Sequence, residues 1–191
     1  MNKRIIVSIL IGTLILFAWN VISWMVLPFH SKTLQTIPKE IVDQGKVQEK
    51  LLKSGVYHYP GLPKDNSETS MTAIRQQLKK GPRITLMVYK KGPTKLFDKS
   101  LFFMNILLNC FIVITLIFMI SKLNKHTIKS ILTTTLTMGL LIGLMSDLPQ
   151  MNWYLFPLDY TLVNVIDHLV AFMLLGLFLG VYTFKPRQTV G

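Results

Sequence analysis

Asp167 and His168 place an acid beside an imidazole inside the run 161–184, which otherwise reads as hydrocarbon. A carboxyl and an imidazole offer general acid–base catalysis or metal ligation. Consecutive helical residues point about 100° apart, so these two cannot simply chelate one ion together. Asn164 lies four residues before His168 and shares its face, and Asn105 and Asn109 repeat that spacing in the run 100–121. Asn20 lies in the run 5–27, and Asp147 closes the run 130–147 on the stripe of Gly139 and Gly143.

The elements that must carry these residues are the four runs themselves, each at or near the roughly 20 residues that a helical crossing needs. Half the residues are apolar, 16% are charged, and mean hydropathy is +0.43. That composition excludes disorder, and the single cysteine, Cys110, excludes a disulfide scaffold. The expected fold class is an all-α membrane protein with four transmembrane helices and a small external α+β module between the first two.

Counting 1.5 Å per residue from each midpoint puts Asn20, Asn105, Asp167 and His168 about 6–8 Å toward the outer side. Asn164 falls a turn further out, Asn109 near the middle, and Asp147 at the outer mouth of the third helix. Polar groups are expensive in lipid and turn toward protein or water. The candidate polar pocket is therefore lined by Asn20, Asn105, Asn109, Asp147, Asn164, Asp167 and His168. The competing reading makes the asparagines interhelical glue, worth about 0.6 kcal/mol each.

The first run is longer than the roughly 7–15 residues of a secretory signal core and ends in Trp19, Trp24, Pro28 and Phe29, not in a cleavage site. It reads as a retained helix with tryptophans as interfacial anchors. With the N-terminus inside, residues 1–4, 122–129 and 185–191 hold seven cations and no acid; the opposite short loop, 148–160, holds Asp159 and no cation. This asymmetry puts both termini in the cytoplasm and residues 28–99 outside.

The loop 28–99 carries fourteen Lys and Arg against six acids, most of the net charge of +12. A solvated basic face, or attraction to anionic lipid headgroups or an acidic partner, explains them; nucleic acid is not an expected partner, because they face the exterior among interspersed acids. Within the loop, Pro38 to Leu52 has helical spacing weakened by Gly45. Val56–Tyr59 and Ile84–Tyr89 read as strands, the first stopped by Pro60-Gly61-Leu62-Pro63, and Ser67 or Thr69 caps a helix reaching Lys80. The module has few apolar residues and is expected to lean on the outer helix ends. The aromatic and proline-rich segment 148–160 reads as a non-helical loop.

Gly139/Gly143 and Gly176/Gly180 are small-xxx-small pairs that let helices approach closely, within the bundle or between copies in a homo-oligomer. Gly176 falls half a turn from Asp167, so the fourth helix is expected to meet protein on both sides. His30 and Asp147 or Asp159 are the residues that could complete a metal site with Asp167 or His168, His58 belongs to the small sheet, and Cys110 sits too deep to be a nucleophile. No nucleotide or metalloprotease motif occurs, and neither metal nor cofactor is expected.

Ser23-Trp24-Met25-Val26-Leu27-Pro28-Phe29-His30, the run Gly55-Val56-Tyr57-x-Tyr59-Pro60-Gly61-x-Pro63, and the segment Asp147 to Asn164 together resemble a group of small uncharacterised bacterial envelope proteins. The resemblance implies a bacterial inner membrane and carries no activity. The leading expectation is a non-catalytic accessory or sensory membrane protein whose module and pocket meet a lipid, small ligand or membrane-protein partner. The alternative is a membrane-embedded enzyme or small transporter using Asp167 and His168 with Asp147.

Overall fold

The computed structural model describes residues 3–43, 46–61, 65, 67–95 and 97–184. Gly45, Leu62, Pro63, Lys185 and Arg187, used in the reading above, lie outside them. The chain divides into two compact units, residues 1–34 with 96–191 and residues 35–95.

The first unit holds four helices long and apolar enough to cross a membrane. α1 (Lys3–Val21) runs into a π-helical turn, Ile22–Val26. Pro28 then starts a single turn, α2 (Phe29–Thr33). α6 (Lys99–Ser121) is capped by Asp98, whose carboxylate accepts from the Ser100 N–H. α7 (Ile128–Ile142) starts at Thr127 in a reciprocal cap with Ser130. It passes through a second π-helical turn, Gly143–Asp147, into α8 (Leu148–Tyr154). α9 (Leu158–Phe178) ends in a third such turn, Leu179–Thr183.

The segment 148–160 is therefore not the expected loop. Pro149 sits in the first turn of α8, directly after Leu148 bonds back five residues to Gly143 O. A widened turn there and the missing proline N–H suit each other. The break comes later, at Leu155 in the left-handed region (φ 59°), and Pro157 leads into α9 three residues earlier than the apolar run suggests.

The second unit pairs β1 (Gly55–Tyr59) and β2 (Ile84–Tyr89) antiparallel, with Gly55 opposite Tyr89 and Tyr57 opposite Met87, and His58 lies in β1. α5 (Glu68–Lys80) begins at the Ser67 cap and ends at Gly81, whose φ of 62° favours glycine. The single helix expected over 38–52 is two short ones, α3 (Lys39–Asp43) and α4 (Lys46–Lys50), on either side of Gly45. α5 buries no residue, in keeping with the scarcity of apolar side chains here.

In the helical unit the buried apolar cluster includes Leu16, Val113, Leu116, Ile120, Ile131, Leu175 and Leu179, toward the C-terminal ends of α6 and α9. Trp19 packs against this cluster with its indole N–H buried, so it is no interfacial anchor; Trp24 is the exposed one. At the far end of α9, Thr183 donates to Ser8 at 2.9 Å, both buried.

α9 meets α1 on one side and α7 on the other. Both glycine pairs pack within this chain, where α7 and α9 meet. A Cβ on Gly139 would meet the His168 carbonyl at 3.1 Å, and one on Gly143 would meet Val165 at 3.0 Å. On α9, Gly176 abuts Thr135 and Gly180 lies against Ile128. A Cβ on Gly176 would overlap Thr135 Oγ1, whereas on Gly180 the nearest atom is 3.6 Å away. Gly176→Ala is expected to destabilise the bundle by about 1–3 kcal/mol and Gly180→Ala by much less, with Thr135→Ala restoring part of the first loss. Thermal unfolding in a mild detergent checks the order.

Candidate functional site

α9 presents Asp167 and His168 to different neighbours, as the helical angle requires. Asp167, only 9% exposed, accepts a hydrogen bond from the Ser23 hydroxyl at 2.5 Å. Ser23 lies in the π-helical turn after α1, so one end of α1 is tied to α9 by a buried carboxylate. Pro28 and α2 turn the chain back, burying His30 beside the same pair. His30 Nε2 stands 3.1 Å from Ser23 Oγ and 3.8 Å from Asp167 Oδ2, and the Trp24 indole stacks on the imidazole with ring centroids 3.8 Å apart.

The hydrogen count fixes the roles. A serine hydroxyl has one hydrogen, and Ser23 directs it at an acceptor-only carboxylate. His30 Nε2 must then carry the hydrogen given to Ser23 Oγ, which leaves Nδ1 as the acceptor of a neutral ring. Nδ1 is buried with no hydrogen-bond partner among the described residues. A hydrolytic triad needs the imidazole to receive the serine proton. Here the proton points to the acid, so Ser23 is not primed as a nucleophile.

His168 turns toward the α7 side. Its Nε2 is 3.2 Å from Asp147 Oδ2, an ion-pair distance without the alignment of a hydrogen bond. Asp147 also lies in a π-helical turn. The asparagines form a smaller group: Asn109 Nδ2 donates to Asn105 Oδ1 at 2.9 Å, and Asn20 Nδ2 approaches both side-chain carbonyls at 3.5 Å.

A cavity of about 630 Å³ opens between α1, α6 and α9. Of the seven residues expected to line one pocket, Asn20, Asn105, Asp167 and His168 reach it. Asn109 lies behind Asn105 and Asp147 behind His168. Asn164 stands apart, because its amide donates to the Tyr160 carbonyl one turn back. Asp98 adds a second carboxyl group, and the remaining walls are apolar and aromatic, including Phe17, Trp24, Phe97 and Phe102; Phe17 and Phe102 meet edge to face at 6.3 Å. The grouping of His30 with Asp147 or Asp159 does not form: His30 goes to Asp167, and Asp159 accepts from the Tyr160 N–H. No cluster of three or more potential metal-binding side chains occurs among the described residues.

Sequence reasoning missed Ser23 as the partner of Asp167 and weighed His30 beside it only as a ligand completing a metal site. The turn at Pro28 is the signal that would have brought them in, since it returns the chain toward the helix end it has just left. Comparison with protein-family models, curated proteins and solved structures finds no match to this chain.

Burial pushes the His30 imidazole below its ordinary pKa of 6.5; the Asp167 charge pulls upward against this, and His168 adds to the lowering. The unfolded chain therefore binds more protons than the folded one as pH falls through 6.5. The stability that neutral His30 contributes is fully present above that pH and is lost below it. Thermal unfolding midpoints in detergent are expected to fall from pH 7 to pH 5.5, and His30→Gln is expected to flatten that slope.

Proposed function

We propose that this chain is a multi-pass protein of a bacterial inner membrane, with both termini cytoplasmic and residues 28–99 external. In this reading it is a non-catalytic accessory or sensory protein, and the cavity between α1, α6 and α9 holds a small amphiphile from the outer leaflet. The four apolar helices and the cation asymmetry of the short loops support the placement. The observation that carries the function is the cavity itself, with hydrocarbon and aromatic walls and a few polar side chains, Asn20, Asp98, Asn105, Asp167 and His168. Pockets of that make-up take ligands whose apolar body is buried while a polar group is oriented. The basic external loop suits anionic headgroups or an acidic protein surface beside such a site.

The Asp147–His168 pair is what favours the second reading, an embedded enzyme or transporter. Asp167 has its own partners in Ser23 and His30, so the Asp147–His168 pair would do that chemistry without it.

Native mass spectrometry of the gently extracted protein is expected to show a bound amphiphile. Leu101→Trp, which fills the cavity from α6, is expected to remove that mass while leaving thermal unfolding nearly unchanged. A bare chain from the wild type sinks the binding reading, and turnover or flux lost in His168→Ala with assembly intact favours the second. In a Cys110→Ser background, an impermeant thiol reagent applied to intact cells is expected to label a cysteine at Ser54 and not one at Lys125. The reverse pattern overturns the orientation.

A further inference from the structure

We propose that the cavity between α1, α6 and α9 selects amphiphiles with a positively charged amine or ammonium head, an inference that rests on the amphiphile-binding reading above. In a chain of net charge +12, no Lys or Arg among the described residues lines this cavity, and the acids in its described lining are Asp98 and Asp167.

The charge sum favours a cation. Two carboxyl groups line the cavity, a third, Asp147, stands behind His168, and burial pushes His30 away from its charged form. Asp98 stands at the N-terminus of α6: hydrogen bonds from the Ser100 hydroxyl and then its backbone N–H hold its carboxyl below the ordinary carboxylate range. An anionic head would meet repulsion from these acids, and a neutral head would bring no opposite charge to them.

Aromatic rings supply the second half of the recognition. Phe17, Trp24, Phe97 and Phe102 line the cavity that the carboxylates share. Ring faces attract ammonium groups, most strongly where water is excluded, and tryptophan does so best. Trp24 is held in place by its stack on buried His30. The Asn20 and Asn105 side-chain carbonyls add acceptors for N–H donors. The alkyl body of the ligand would lie along Val21, Leu101 and Ala171. Two sources present this head chemistry: a membrane aminolipid and a free cationic amphiphile.

The test uses the full chain in nanodiscs, with Trp19→Phe and Trp153→Phe leaving Trp24 as the one fluorophore. The probes are terminally brominated single-chain amphiphiles of equal length bearing a trimethylammonium, maltoside or sulfate head. The ammonium probe is expected to quench Trp24 with a half-saturation at least about tenfold lower than the other two. Asp167→Asn is expected to reduce that preference by about tenfold. Because Asp167 is also tied to Ser23, Asp98→Asn provides the independent check: asparagine caps a helix as well as aspartate does, so the fold is kept while the charge is lost. It is expected to reduce the preference by about threefold at this more exposed position.

Equal quenching by the three heads overturns the ammonium assignment and leaves the amphiphile pocket standing. Quenching by none overturns the pocket reading itself. Nanodiscs with dibrominated chains on phosphatidylethanolamine or phosphatidylglycerol then separate the sources. Stronger quenching from the ethanolamine lipid supports an aminolipid; equal quenching from the two, with the free ammonium probe still preferred, supports a free cationic amphiphile.

Discussion

Burying the carboxylate of Asp167 among apolar helices is the constraint that organises one end of this bundle. An unpaired charge there would be strongly destabilising, and removing one partner of a buried pair typically costs about 3–5 kcal/mol. The chain meets the demand with Ser23, whose hydroxyl points at Oδ1, and with His30, returned by the turn at Pro28. Trp24 then closes over the imidazole. Helix end, reverse turn and aromatic cover are thus all fitted around one acid.

The π-helical turns belong to the same account. Ser23 and Asp147, the two residues that answer Asp167 and His168 across helix contacts, both lie in such turns. A widened turn changes the angular phase of the side chains within it relative to a regular helix. Regular helical phase is what spacing arguments assume, so neither contact can be placed by counting in steps of 100°.

This explains how much of the molecule was legible. The four long helices were, because a continuous apolar run needs only length to be recognised. The two strands and the Ser67 cap of α5 were also readable from local chemistry. The half-turn between Asp167 and Gly176 placed α9 between two neighbours, and those neighbours are α1 and α7. What was not legible depended on partners distant in sequence. Asn164 shares a face with His168, yet its amide is satisfied by its own helix. Pro149 looked like a breaker, yet it sits in a first turn, where proline is tolerated.

The end of the bundle away from Ser23 and His30 has a different character. Val113, Ile120, Ile131, Leu175 and Leu179 have no exposed surface and come from three helices. Together they make a layer of close-packed branched side chains, beside which the buried hydroxyls of Thr183 and Ser8 pair. The same helices are thus packed solid by branched side chains at one end and leave a hollow of about 630 Å³ toward the other.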